Sequence, residues 1–360
     1  MEPPSRYTVH IPQWPCSPVV LPRQLLVVCS KPAGEHIIVL TATGVFRLDV
    51  AGRSGAIEQL STTGGQFMSA APSGDVIFVS RSVSTVAVMH MGPVATYVYD
   101  CRFPVTGLAA LSDTATVVAT ATCCWVLYSK GSPAGSKAHM QSVAGTLGTA
   151  GFCWHVPGLR ALFVQISAVA AVPYSKDTWT IVGHDRVLRR LFAFELTYLA
   201  AADTWTAGCV RLLAGSGSRS SPFGRLLRLE PSASPHIVVA SAWAANCCKR
   251  YLFAVNTLVG AYTLVCQSDE PAVTALGCNG TVYHASVPNL KATRHTRAPS
   301  AAVSRLRGFW CRKRHRALPP HVRRAVVVVI AAMTRAGMPA ELMQYVLEMV
   351  AVDTFGRALC

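Results

Sequence analysis

The sequence predicts an all-β chain: a six- to seven-bladed β-propeller over residues 21–287, followed by a small C-terminal α-helical hairpin. Three observations predict it. A turn followed by a β-branched apolar run returns at steps of roughly forty residues. A half-motif, Val105-Thr-Gly-Leu-Ala-Ala110, is echoed by Val273-Thr-Ala-Leu-Gly-Cys278, 168 residues on and close to four such periods. After Pro319-Pro320 the apolar spacing changes from strand-like to helical.

Residues 1–20 read as an irregular lead-in, with Pro3, Pro4, Pro12 and Pro15 interrupting any regular pattern. The repeat then runs through Lys31–Leu40, Pro72–Val79, Leu111–Ala119, Pro157–Val164, Pro235–Ala240 and Gly277–Tyr283. Its strand centres fall near Ile38, Phe78, Val118, Phe163, Val238 and Val282, in steps of 40, 40, 45, 75 and 44 residues. The long step is close to two periods and implies a degenerate copy between. That stretch, Asp185–Ala214, contains Val187–Leu196, which reads as either strand or helix. Tyr128–Gly148 and Ala214–Gly224 read as Gly- and Ser-rich loops, and Asn279-Gly280 reads as a hairpin turn. A β-sandwich, or a pair of them, with turns at similar spacing is the alternative architecture.

Gly74-Asp75 and the run through Val88 form what would be two central strands of a blade around a tight turn. In this the chain resembles β-propellers of the NHL and WD-repeat kinds over about 270 residues. It lacks any Trp-Asp dipeptide, and Gly183-His184 is its single Gly-His pair. The resemblance implies a rigid disc whose loops bind a protein or peptide partner without catalysis. A propeller enzyme with a channel-facing site is the rival reading.

Hydrophobic residues make up 51% of the 360 and charged residues 14%, the balance of a globular chain with a sizeable core. The longest wholly apolar run, Ala325–Met333, falls well short of the ~20 residues needed to span a bilayer. The early prolines argue against a signal peptide. Thirteen cysteines occur without a Cys-x-x-Cys, and the adjacent pairs Cys123-Cys124 and Cys247-Cys248 would face opposite sides of a strand. They read as reduced, buried thiols in a cytoplasmic or nuclear protein.

Little in the chain suggests chemistry. Phosphate-loop, dinucleotide and nucleophile-elbow patterns are missing, and Ser216 falls in a Gly-Ser loop. No His-x-His or His-x-x-x-His pair occurs, and His155, between Trp154 and Val156, reads as a core histidine. No catalytic residue, metal or other cofactor is expected.

Residues 288–318 form a basic linker. Eleven Lys or Arg side chains and no acid lie between Lys291 and Arg324, which leaves only +5 of the net +16 for the rest of the chain. Arg312, Lys313, Arg314 and Arg316 make a compact patch behind Phe309 and Trp310. That patch suits an import address, phosphates of a nucleic acid, an acidic partner, or simply a solvated linker. Residues 319–360 would supply two helices, His321–Arg335 and Pro339–Val352, with Gly337 as a C-cap and Pro339 in the next first turn. Leu342, Val346, Leu347 and Val350 share one face of the second helix and would meet a partner or the propeller. Met338, Pro339, Glu341, Leu342, Val346 and Leu347, with Asp353 and Cys360 beyond, resemble the opening of an F-box, and the same residues are similar to a SOCS-type box. This resemblance implies a ubiquitin-ligase substrate receptor that docks an adaptor through these helices. The chain covers about half of an F-box, and an F-box usually precedes its substrate-binding repeats.

Overall fold

The computed structural model describes residues 5–9, 22–30, 34–49, 57–91, 97–121, 123–129, 138–145, 165–187, 189–208, 210–213, 226–232, 236–243, 250–258, 260, 262–268, 273–276, 281–286, 289–294 and 320–339. Among them, strands dominate and one helix follows.

The strands form six antiparallel sheets, each built mainly from consecutive strands. The first contains β2 (Pro22–Ser30), β3 (Gly34–Thr41), β4 (Val45–Asp49) and β5 (Ile57–Ser61), and β1 (Ser5–Val9) lies elsewhere. The second contains β6 (Phe67–Ala70), β7 (Val76–Ser80), β8 (Thr85–His90) and β9 (Tyr97–Asp100). The third contains β10 (Gly107–Ser112), β11 (Ala115–Ala119), β12 (Cys123–Ser129) and β13 (Ala138–Gly145). In the fourth, β14 (Ile166–Ser175), β15 (Thr178–Asp185), β16 (Arg190–Leu199) and β17 (Thr204–Ala207) are joined by β18 (Arg211–Leu212), which pairs with β16. The fifth contains β19 (Leu226–Pro231), β20 (Ile237–Trp243), β21 (Arg250–Asn256) and β22 (Tyr262–Ser268). The last joins β23 (Val273–Leu276), β24 (Thr281–Ser286) and β25 (Asn289–Arg294) to β1 at its outer edge.

Apolar clusters fill every junction between consecutive sheets. Ile37 and Leu48 meet Tyr283 and Val273 at one junction, and Leu40 and Ile38 meet Ile77 and Val79 at the next. Phe78 packs with Leu108 and Val118; Val117 and Leu111 pack with Ile181 and Phe194; Val182 and Ala193 pack with Val238 and Val255. Val239 and Leu252 with Val282 close the circuit. The architecture is therefore an all-β propeller, with β2, β6, β10, β14, β19 and β23 innermost. Burial on both faces explains the repeat in the sequence. The second strand of a sheet lies between two neighbours, so β7 and β11 are buried at every position and read as unbroken β-branched runs.

Sequence expectations differ from this fold in four places. Ser5–Val9 is a strand inside the expected lead-in 1–20, and Asn289–Arg294 is a strand inside the expected linker 288–318; they pair along Ser5↔Arg294 to Val9↔Leu290. β1 is outermost with a single sheet neighbour and carries no continuous apolar signal, whereas β25, paired with both β24 and β1, is polar and basic in sequence and reads as linker. Within the expected loop Tyr128–Gly148, Ala138–Gly145 forms β13, outermost in its sheet as β1 is. Of the stretch 187–196, which reads as either strand or helix, the part from Arg190 onward is strand β16, with Leu191, Phe192, Ala193 and Phe194 all buried. In that sheet the second strand is β15, centred near Ile181; Phe163 lies outside the described residues.

The helix α1 (Pro320–Arg335) begins on proline and ends in a Schellman turn. Gly337 takes φ 69° while its N–H donates to the Thr334 carbonyl at 3.1 Å and the Met338 N–H donates to the Met333 carbonyl at 3.0 Å. The second expected helix lies outside the described residues. Among the described residues no helix is long and apolar enough to cross a membrane.

Candidate functional site

Five of the innermost strands, β2, β6, β10, β14 and β19, line a central cavity that holds polar Gln24, Ser69, Thr106, Ser167, Arg228 and Glu230 among apolar neighbours. Three of these strands carry an irregularity at the cavity: the register shifts between Pro22 and Gln24, between Ile166 and Ala168, and between Leu226 and Arg228. A bulge adds a residue and re-aims the side chains after it. On β19 the shift lets both Leu226 and Leu229 reach the apolar junction with the fourth sheet, while Arg228 and Glu230 line the cavity. The alternation of strand side chains then places Arg228 and Glu230 on one face, about 6.6 Å apart along the strand.

Side chains stitch the cavity wall across sheets. Gln24 Nε2 donates to the Met68 carbonyl at 3.0 Å, and Gln24 Oε1 accepts from the Met68 N–H at 2.9 Å. This carboxamide thus pairs with β6 as a strand backbone would. Ser69 Oγ accepts from the Ala110 N–H at 2.9 Å. Ser167 Oγ lies 2.7 Å from His184 Nδ1, which ties the irregular turn of β14 to β15. His184 is 1% exposed. A Ser–His contact is one requirement of nucleophilic catalysis; here it braces two strands.

Arg228 and Glu230 are electrically unusual. Burial pushes the Glu230 carboxyl up to about 7, against the downward pull of the Arg228 guanidinium and of a hydrogen bond with Gln24. Burial lowers Arg228 to about 10, Glu230 opposing the shift and Arg250 adding to it. Arg228 Nη1, Glu230 Oε1 and Thr106 Oγ1 are buried and make no hydrogen bond with the chain. Such groups cost roughly 1–3 kcal/mol each when left without a partner.

A second feature lies where β9 crosses to β10. The Cys101 N–H donates to the Ser84 carbonyl and the Val105 N–H to the Val83 carbonyl, both at 2.7 Å, which zips this connection to the β7–β8 hairpin. Arg102 sits at φ 61° with its N–H on Asp100 Oδ1 at 2.9 Å. The outcome is that Val83 on the β7–β8 turn and Phe103 on the β9–β10 connection stay 58% and 44% exposed on two segments tied to each other. Phe103 stacks on Trp125 of β12, with ring centroids 5.3 Å apart and planes 13° apart.

The sites expected from sequence lie outside the described residues: the patch Arg312, Lys313, Arg314 and Arg316, and the face Leu342, Val346, Leu347 and Val350. His155 and Ser216 do too. On α1, Val327 and Val328 are 54% and 66% exposed and Met333 is buried. Among the described residues the thiols of Cys101, Cys123, Cys124 and Cys266 form no disulfide, and burial pushes Cys101 up to about 11. No group of three or more His, Cys, Asp or Glu side chains gathers among the described residues. Sequence reasoning missed the cavity. Its one local trace is Leu-Leu-Arg-Leu-Glu-Pro at 226–231, where two opposite charges share one face of an apolar strand.

No protein-family model matches the chain, and no curated protein matches it. Among solved structures the chain is similar to the Cps50 (Swd1) beta-propeller domain of Myceliophteria thermophila, at 12% identity and a TM-score of 0.46, over 81% of this chain and 99% of that one.

Proposed function

We propose that the chain is a non-catalytic interaction scaffold whose propeller loops bind a protein or peptide partner. The observation that carries this reading is the pair of tied segments, the β7–β8 turn bearing Val83 and the β9–β10 connection bearing Phe103, with Trp125 stacked on Phe103. Large apolar and aromatic side chains held exposed on a rigid frame are the usual anchors of a protein contact. A loop fixed by backbone hydrogen bonds loses little freedom on binding, which favours affinity. Phe103→Ser in the full chain tests it: cross-linking in cells should lose a partner while thermal unfolding stays close to wild type. An unchanged set of cross-linked partners, with the variant folded, overturns the reading.

The basic patch Arg312, Lys313, Arg314 and Arg316 supports a further contact with an acidic partner or nucleic acid, and it also suits nuclear import. The F-box-like residues and the face Leu342, Val346, Leu347 and Val350 support a ubiquitin-ligase receptor as the second reading. Removing residues 318–360 separates the two, because a receptor then loses its adaptor components and a plain scaffold keeps its partners.

A further inference from the structure

The central cavity makes a demand that the rim surface does not. Three polar atoms line it without a hydrogen bond from the chain: Arg228 Nη1, a donor; Glu230 Oε1, an acceptor; and Thr106 Oγ1, which can act as either. Glu230 is 8% exposed, so bulk water does not satisfy it. Arg228 and Glu230 are the charged side chains of the lining, and together they are neutral.

We propose that this cavity binds a primary carboxamide, its carbonyl oxygen accepting from Arg228 Nη1 and its N–H donating to Glu230 Oε1.

Four arguments select that group. A carboxamide carries a donor and an acceptor side by side, as the two orphans on one face of β19 require. It is neutral, so it leaves the Arg228–Glu230 balance intact; a carboxylate would meet Glu230, and an ammonium would meet Arg228. The cavity leaves about 30 Å³ for the centres of water-sized molecules, which is room for about two waters and hence for the small head of such a group. The same wall already shows the pairing, because the Gln24 carboxamide satisfies one donor and one acceptor of Met68 together. Thr106 Oγ1 adds a third contact to either end of the bound group. The high carboxyl range of Glu230 leaves it ionised, and so a full acceptor, on the alkaline side of neutrality.

The carboxamide can come from a free small molecule or from an asparagine or glutamine side chain of a peptide. Saturation-transfer NMR on the full chain at pH 8 distinguishes these, with acetamide, acetate and methylammonium as minimal probes. A capped tripeptide with central glutamine and its glutamate counterpart extend the series. The wild-type chain should bind acetamide at least ten-fold more tightly than acetate or methylammonium. Tighter binding of the glutamine peptide than of acetamide assigns the site to a peptide side chain; the reverse order assigns it to a free amide. Glu230→Gln leaves Arg228 as the sole charge, and the preference should swing to acetate. Arg228→Met leaves Glu230, and the preference should swing to methylammonium. Failure of acetamide to bind the wild-type chain, or to outrank the two ions there, overturns the proposal, and that ranking decides it even where a variant does not fold. The Phe103→Ser variant should bind acetamide as wild type does, so the failure of the rim reading and the failure of this one are told apart.

Discussion

Replacing Glu230 by glutamine should change how stability depends on pH. The carboxyl stands at about 7 in the folded chain against 4.5 for an ordinary glutamic acid, because burial outweighs Arg228 and Gln24. Below pH 4.5 both folded and unfolded chains hold the proton, and this group contributes no slope. Between 4.5 and 7 the unfolded chain releases its proton while the folded chain keeps it, so the folded state is progressively disfavoured as pH rises. Above 7 both are ionised and the penalty is complete. At about 1.4 kcal/mol per unit the shift corresponds to roughly 3 kcal/mol of stability lost from pH 4.5 to pH 8. For a chain of this size that is about 6 °C in Tm, at ~2 °C per kcal/mol. Thermal unfolding of wild type and Glu230→Gln at pH 4.5, 6, 7 and 8 measures it as a difference, which cancels every other titrating group. The wild type should lose about 6 °C relative to the variant across the series. Parallel curves would mean that the carboxyl is solvated in the folded chain, and the account of the cavity as a place of orphaned polar groups would be wrong.

Gln24→Leu should lower stability by roughly 2–4 kcal/mol, because the buried N–H and carbonyl of Met68 each lose a partner; an unchanged urea midpoint would refute that. Gly64→Ala should cost roughly 1–3 kcal/mol, since a Cβ there would overlap the Thr41 carbonyl oxygen, a backbone atom held by Gly65. Thermal melting reads that effect directly. Neutralising Arg312, Lys313, Arg314 and Arg316 together should leave the melting curve as it is and release the chain from immobilised heparin at lower salt. Unchanged retention would make the tract a plain linker.

The parts of the fold that were legible in sequence are those buried on both faces. Ile38, Phe78, Val118, Val238 and Val282 each belong to the second strand of a sheet, where packing on two neighbours forces continuous β-branched runs. The strand β15 has the same burial, but Pro157–Val164 gave a competing turn-and-strand pattern that drew the register away from Ile181. The outermost strands β1 and β13 have one sheet neighbour each and looked like lead-in or loop, and β25, paired on both edges, fell inside the basic tract. The cavity was hidden for another reason. Gln24, Ser69, Thr106, Ser167 and Arg228 come one or two to a strand from well-separated parts of the chain, so no local spacing contains them. Gly337 was legible because a Schellman turn needs positive φ within one local segment.

The pairing of Ser5–Val9 with Asn289–Arg294 sets an order of events for the chain. During synthesis the five sheets from β2 to β22 have all their strands once β22 has emerged, whereas β1 must wait for the segment that holds its partner. Bringing ends this distant together costs about 5 kcal/mol of chain entropy if the intervening residues are still a coil. If the five sheets are already packed side by side, they hold those ends near each other and most of that cost has been met in advance. The clasp therefore forms last and reports on everything before it. A fault in any earlier sheet would show first as an unpaired terminal strand, an open edge able to take up another chain.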